Sequence, residues 1–342
     1  MFETGRRYAF HAHRYGQDVA SNRLRMFAPL AALRRRGLDV ELFDPARGAR
    51  GYDAIVFSRG FSPAAVHIAR AARADNRRII VDVCDNMFAL AGRAGFRGCC
   101  NRLREMMALA DVVTAPTAMM AAQLEAHGPG AAFRVIPDAL ETIDPCPVTT
   151  RAHGAVAGLE QFLGRHSGAL HCVWYGSSVP GMSGFAHLDG AVRELESFGR
   201  RHPVTLTVIS DTRLRYWLAR RHWRIPSVYL PFGNDSFGPA LARHHVAVIP
   251  VGRNGYTSGK SINRAATAVM AGLGVVADPL PSYEELRPWI VLGDWQAGLA
   301  HYADCLPATD PALPQARRHL EARYGADAVA GQWEAVLDVR LQ

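Results

Sequence analysis

The sequence predicts an α/β fold made of two Rossmann-like halves, and three observations carry that expectation. Short β-branched runs alternate with longer stretches of helical spacing, the pattern of parallel sheets joined by crossover helices. The alternation occurs twice, on either side of a Pro-bearing stretch at residues 142–150. The length of 342 residues suits two cores of roughly 150 residues each better than one.

In the first half, strands are expected at 8–13, 39–44, 54–59, 78–85, 111–117 and 133–140. Helical spacing covers 22–36, 63–74, 100–110 and 118–127, and Gly37 and Gly128 follow two of these helices where a left-handed C-cap would sit. In the second half, strands are expected at 170–177, 204–211, 227–232, 246–251, 274–279 and 290–293. Helices are expected at 188–200, 212–221, 237–242 and 261–271, with a linker helix at 155–165. The domains are therefore 1–150 and 151–313, followed by a helical stretch, 314–342, that can pack back on the first domain. Two doubly wound domains facing one another across a cleft bring the carboxyl ends of both sheets to one place, where ligands bind in open α/β sheets.

Composition narrows the class. Hydrophobic residues at 49% and charged residues at 20% indicate a globular chain. No run approaches the ~18 apolar residues of a membrane span, and the N-terminal segment lacks a signal-peptide pattern, so a cytoplasmic protein is expected. The six cysteines show no C-x₂-C pairing, which predicts reduced, structural thiols and no metal site. The net charge of +8 is spread along the chain without a nucleic-acid motif. A nucleotide diphosphate, or a face resting on anionic lipid at the inner side of a membrane, accounts for it instead. Arg34-Arg35-Arg36, with Arg97, Arg102 and Arg104, is either a solvated face or such a lipid contact. One detail is sharper: all but one of the 39 basic residues are arginine, and the exception is Lys260. An ammonium is a compact point charge that fits where a planar guanidinium does not, so a lone lysine in a Gly/Ser-rich loop is a site candidate.

The strand ends carry the motifs. The first junction, His11-Ala12-His13-Arg14-Tyr15-Gly16, has no G-x-G-x-x-G, which disfavours a dinucleotide enzyme. His11 reads as a core histidine, and His13, nearer the strand end, as a substrate contact or base. The first junction of the second half, residues 175–185, is rich in small residues that could present amides to a phosphate. The strongest segment is 250–264: a strand ends, a Gly/Ser loop follows, and a helix begins near Ser261. It is not a Walker loop, because Asn254 stands where the first glycine is required. Lys260, Arg253 and Arg264 can stabilise a departing diphosphate. On the acceptor side, Asp82, Asp85 and Asn86 end a buried strand, and Arg59 follows another. Asp85 is a candidate base for an acceptor hydroxyl; the alternative makes Asp82 a structural acceptor and Asp85 a helix N-cap.

Several of these pieces resemble the family 4-like GT-B glycosyltransferases (glycosyl transferases group 1). The segment 272–283, Gly-Leu-Gly-Val-Val-Ala-Asp-Pro onward, is similar to the family's helix–strand–loop behind the donor site. Residues 21–25 through 36–40 resemble its first helix and second strand, and 110–117 with 134–139 its "ADxVxxxS … VIPNGVD" signature. Laid on Thr267–Val276, the family's "EAMACGxPVV" puts Thr267 and Gly259 where its two glutamates stand, and the loop after the strand at 170–177 lacks its Arg and Lys. The resemblance implies a GT-B enzyme with the acceptor on the first domain and a nucleotide-sugar donor on the second. It needs no cofactor and no metal, the nucleotide sugar being the substrate. Asp85, His13 and Lys260 are then the catalytic candidates. Ser177, Ser178, Arg253, Lys260, Ser261, Asn263 and Arg264 are expected at the donor, with Asn263 towards ribose or sugar hydroxyls. Arg59, Asn86 and Arg23 are expected at a glycan, lipid-linked or small-molecule hydroxyl acceptor, in surface-glycan or secondary-metabolite biosynthesis. A sugar-nucleotide epimerase and a non-catalytic sugar- or nucleotide-binding protein use the same fold and are the alternatives.

Overall fold

The structure is a computed structural model that describes residues 5–128, 130–141, 149–178, 184–306 and 308–338. Cys146, most of the Pro-bearing stretch and residues 179–183 of the small-residue loop lie outside the described residues. The chain divides into two compact units, Met1–Glu141 with Asn254–Ser261 and Glu321–Gln342, and Thr142–Arg253 with Ile262–Leu320.

The first unit is a six-stranded parallel sheet in the order β2-β1-β3-β4-β5-β6. Its strands are β1 (Arg7–Ala12), β2 (Asp39–Leu42), β3 (Ala54–Ser58), β4 (Arg78–Asp82), β5 (Val112–Ala115) and β6 (Phe133–Val135). β3 and β4 are buried throughout, as a sheet covered on both faces requires. One face packs under α3 (Pro63–Ala74), α4 (Arg97–Leu109) and α5 (Ala118–Glu125), through Ile55, Phe57, Ile79 and Val81. The other face, with Phe10, Val56 and Ile80, packs with Met26, Leu30 and Leu33 of the first helical segment. The expected helix 22–36 is broken into α1 (Ala20–Asn22), a π-turn at Arg23–Phe27 and α2 (Ala28–Arg35). The π-turn inserts a residue into the helical register, and Arg25 on it is fully buried.

The second unit is also a six-stranded parallel sheet, in the order β12-β11-β10-β7-β8-β9. After α6 (Thr150–Gly164) it runs β7 (Leu170–Tyr175), α7 (Leu188–Phe198), β8 (Val204–Ser210), α8 (Arg213–Ala219), β9 (Ser227–Pro231) and α9 (Asn234–Leu241). It continues through β10 (Val246–Ile249), α10 (Asn263–Met270), β11 (Gly274–Ala277), β12 (Val291–Leu292), α11 (Trp295–Asp304) and α12 (Leu313–Tyr324). Strand order reverses between β7 and β10, so this unit has its topological switch point there. In the first unit the reversal lies between β1 and β3.

The terminal stretch expected as one helix is two, α12 and α13 (Ala326–Leu337), parted at Gly325, whose backbone is extended (ψ 148°). Trp333 on α13 is fully buried with its ring 5.4 Å from that of Phe10 in the first unit's core. Gly37 takes the expected left-handed conformation (φ 89°), but after α5 that conformation falls on Gly130 (φ 95°) rather than Gly128. Helix α5 ends early, and the turn runs on past Gly128. The five described cysteines are free thiols. Among the described residues, no helix is long and apolar enough to cross a membrane and no group of three His, Cys, Asp or Glu is placed to hold a metal ion.

Candidate functional site

Each unit presents its own polar centre at the carboxyl edge of its sheet. In the first unit the centre is organised by a carboxylate with no exposure, Asp82 at the end of β4. A charge in that position is tolerated only with a full set of partners. Arg25 supplies them, with Nε 3.0 Å from both carboxylate oxygens and Nη2 2.5 Å from one. Ser58 Oγ donates at 2.9 Å and Thr114 Oγ1 at 2.7 Å. Arg25 Nη1 reaches on to Ile136 O at 2.9 Å and Asp138 Oδ1 at 2.8 Å. Burial works against the Arg25 guanidinium, but Asp82 and Asp138 outweigh it and hold its pKa above the usual range. Asp82 is thus the structural acceptor that the sequence left as one of two readings. Ser261 Oγ donates to the other oxygen of Asp138 at 2.5 Å, so the loop 254–261 is tied to this network.

The same loop delivers Lys260 to Asp85. The ammonium and carboxylate form an ion pair, Asp85 nearly buried and Lys260 about one-third exposed. Tyr256 Oη accepts from the ammonium at 3.2 Å, and the ammonium stands 4.4 Å from the Tyr256 ring centroid. Arg59 Nη2 is 3.7 Å from the second Asp85 oxygen. Burial pushes the Asp85 carboxyl up, but Lys260 and Arg59 prevail and hold it at about 2. Burial likewise lowers Lys260, and Asp85 more than reverses it, leaving the ammonium above its ordinary range. Arg59 itself sits in the left-handed region (φ 49°), a strained conformation for a residue with a Cβ and one that clusters at functional positions. Asn86, not Asp85, caps the turn that follows: its Oδ1 accepts from Ala89 N at 3.3 Å. Asn86 Nδ2 donates to Gly255 O at 3.0 Å and Gln123 Oε1 at 3.1 Å.

Three other candidates stand apart from this cluster. His13 is exposed at the end of the β1 loop. His11 is buried, its pKa lowered first by burial, and its Nδ1 has no partner. Arg23 is held in an ion pair with Glu141 and donates to Gln17 O at 2.6 Å.

In the second unit the site forms at the switch point between β7 and β10. Gly176, directly after β7, has φ 156°, and a Cβ there would stand 2.8 Å from Arg264 Nη2. Glycine is needed twice over, for its backbone and for the close approach of the guanidinium. Arg264 belongs to the first turn of α10, where Tyr175 Oη donates to its carbonyl at 2.5 Å. Its guanidinium lies 5.8 Å from the Trp174 ring centroid and has no carboxylate partner among the described residues. Helix α10 also lacks a side-chain cap, so its first-turn amides are free of side-chain acceptors. A half-buried guanidinium, a helix N-terminus and Gly176 at a switch point are, within one unit, an arrangement that suits an anion.

The remaining donor-side candidates are engaged elsewhere. Ser177 Oγ and Ser178 Oγ donate to Asp211 at 2.8 and 2.5 Å, and Ser178 N adds a third bond at 2.8 Å. These bonds overcome burial and hold the Asp211 carboxyl at about 2. Arg253 is exposed and donates from Nε to Pro279 O at 3.3 Å. Asn263 Oδ1 accepts from Thr267 Oγ1 at 3.1 Å. Asp278 fastens Val251 N at 2.8 Å and Trp295 Nε1 at 3.0 Å, a structural role. Sequence reading singled out Lys260, Asp85, Arg59 and Arg264, and missed Arg25 and Asp211. A buried strand carboxylate demands a cation, and an arginine between Leu24 and Met26 was the available signal.

No protein-family model matches the chain, and no curated protein matches it in sequence. Solved structures match it along nearly its whole length. HepE from Anabaena in complex with UDP superposes with a TM-score of 0.63 at 16% identity, covering 97% of this chain and 99% of that one. Sucrose-phosphate synthase from Thermosynechococcus elongatus gives 0.66 at 12% identity, covering 97% and 98%. WaaG, a glycosyltransferase involved in lipopolysaccharide biosynthesis, gives 0.63 at 11% identity, covering 97% and 100%. The chain therefore has the two-domain α/β fold of these proteins, GT-B.

Proposed function

We propose that the chain is a glycosyltransferase that moves a sugar from a nucleotide-sugar donor to a hydroxyl acceptor. The observation that carries this reading is Arg264: a guanidinium with no carboxylate partner among the described residues, at the start of α10, which has no side-chain cap, and beside the β7 glycine turn. That set of donors suits a diphosphate, whose charge grows as the sugar leaves. The fold likeness supports it, since one similar structure is a complex of HepE with UDP-glucose. Transfer breaks the bond between the anomeric carbon and the diphosphate oxygen, which keeps the electron pair, and forms one to the acceptor oxygen, whose proton is released to the departing diphosphate or to solvent. Arg264 and the α10 amides stabilise the oxygen that departs.

The acceptor belongs to the first unit in this reading. Asp85, held at about 2, is a weak base while Lys260 is paired with it. Its role is to accept a hydrogen bond from the acceptor hydroxyl and orient it, with Arg59 and Asn86 alongside. The acceptor is a glycan, lipid-linked or small-molecule alcohol, and no metal or cofactor is invoked.

Thermal shifts with UDP, GDP, CMP, dTDP and their sugars test the donor site. One nucleoside diphosphate is expected to raise the melting temperature of wild type. Arg264→Gln is expected to weaken that ligand about 10–100-fold, the worth of a charge-assisted phosphate contact. Lys260→Met is expected to keep the shift. No response to any nucleotide, or an unchanged response in Arg264→Gln, removes the assignment. A second reading, a nucleotide-sugar-binding protein without catalysis, is favoured by the engagement of Asp85. Donor consumption that depends on an added hydroxyl acceptor decides against it.

A further inference from the structure

Helix α8 (Arg213–Ala219), in the second unit, plays no part in either polar centre. It is anchored by Tyr216, buried in the core with Leu206 and Val208. On its opposite side Leu214, Trp217 and Leu218 are 61%, 49% and 48% exposed. Among the described residues six large hydrophobic side chains are exposed, and the three most exposed share this one helix. Their spacing, i, i+3 and i+4, makes them one stripe, and Arg221 extends it by another turn. Arg221 Cζ lies 3.7 Å from the Trp217 ring centroid.

The segment that carries the stripe is strongly basic. From Thr212 to Asn234 the sequence contains no aspartate or glutamate, yet it holds Arg213, Arg215, Arg220, Arg221 and Arg224. None of these five guanidinium groups makes an ion pair among the described residues. The nearby carboxylates are occupied: Asp211 by Ser177 and Ser178, Asp189 by Trp223 Nε1 at 2.9 Å, and Glu196 by Arg224 N at 2.7 Å. The arginine run that the sequence suggested for a membrane is differently committed. Arg34 donates to Val40 O, and Arg35 and Arg36 pair with Asp327 and Glu334 of α13.

We propose that α8 and the turn after it form a peripheral docking surface for an anionic lipid bilayer. Trp217 and the two leucines enter the interface between headgroups and acyl chains, and the five arginines meet the lipid phosphates. An apolar stripe alone fits any greasy partner. The unpaired cations at its borders select a surface that is both apolar and negatively charged. This surface is independent of which reaction the chain performs.

Sedimentation with vesicles tests it, using phosphatidylcholine alone and phosphatidylcholine mixed with phosphatidylglycerol. The protein is expected to pellet with the anionic vesicles, to be released by high salt, and to stay in solution with phosphatidylcholine alone. Arg220→Glu/Arg221→Glu is expected to weaken binding at least about tenfold, since each basic residue near such a surface contributes on the order of 1 kcal/mol. Arg220→Lys/Arg221→Lys is expected to bind as wild type, which separates charge from fold. Leu214→Ser/Trp217→Ser is expected to weaken binding with an unchanged melting temperature. No binding, equal binding to neutral vesicles, or binding indifferent to charge reversal overturns the proposal. So does lipid-free self-association that Leu214→Ser/Trp217→Ser abolishes, which makes the occupant a second copy of this chain.

Discussion

Lys260 and Asp85 are 175 positions apart in sequence, and each makes the other's charge tolerable. Removing the ammonium leaves a nearly buried carboxylate with Arg59, at 3.7 Å, as its remaining cation among the described residues. Lys260→Met is therefore expected to cost about 1–2 kcal/mol, less than a fully buried pair because the lysine is partly solvated. Lys260→Met/Asp85→Asn should cost less than the two single changes together, as chemical denaturation can measure. The pH dependence follows from the direction of each shift. Asp85 is depressed to about 2, so its contribution is present above the unfolded carboxyl pKa of about 4 and fades as pH falls through 2. Lys260 is raised, so its contribution is present below about 10.4 and lost as pH rises above its folded value. Arg25 offers the harsher test. Arg25→Met strands Asp82, a carboxylate with no exposure, and should cost about 3–5 kcal/mol. Loss of less than about 1 kcal/mol would show that water or relaxation reaches Asp82. The sequence made Lys260 visible because it is unique. It could not show Asp85 as its partner, because loop 254–261 follows β10 in sequence yet clusters with the first unit.

At the scale of elements, legibility tracked how local the determining interaction is. The strands were legible because each buried run of Val, Ile and Ala is its own signal. The π-turn at Arg23–Phe27 was not; its Arg25 is paired with Asp82, far along the chain, and helical spacing carries no sign of that contact. Gly325 broke the terminal helix where helical spacing alone reads through. Helix α11 escaped notice because its Asp294 cap and buried Trp295, Leu299 and Tyr302 follow a two-residue strand. Helix α13 is the element whose removal should matter most. Its Trp333 is fully buried against Phe10, and Arg36 binds Glu334 at its rim. Trp333→Ala should destabilise the first unit by about 3–5 kcal/mol. Arg36→Ala, at an exposed pair, should cost about 1 kcal/mol or less. If the two cost the same in urea titration, the helix is held by its surface rather than its core.

For the molecule as a whole, the two units should respond differently to acid: each has a depressed carboxylate, Asp85 or Asp211, and a buried histidine, His11 or His244, but the histidine pKa values fall furthest in the second. The first unit is held by carboxylates that remain charged, with Asp85 at about 2. The second buries histidines that must remain neutral. His244 Nδ1 lies 2.8 Å from Ala240 O, to which it donates, and Nε2 lies 2.7 Å from Thr207 Oγ1, a hydroxyl that can donate to the neutral ring. Burial drives its pKa to about 3. His171 stacks on His245 with centroids 5.0 Å apart, and burial, then its neighbour, takes it to about 4. Unfolding lets these rings take protons near pH 6.5, so their stabilising effect is complete above that value and is lost as pH falls towards 3–4. For His244 the full loss is about 5 kcal/mol, comparable with the stability of a typical domain. The second unit should therefore open first, between about pH 5 and 3.5. Brief pepsin pulses across that range, read by mass spectrometry, should release peptides from residues 170–304 before any from 5–138. His244→Asn keeps a donor and an acceptor but does not titrate, so it should move the first cuts to lower pH. Cuts that begin in the first unit, or a His244→Asn protein that opens at the same pH as its parent, would place the acid sensitivity elsewhere.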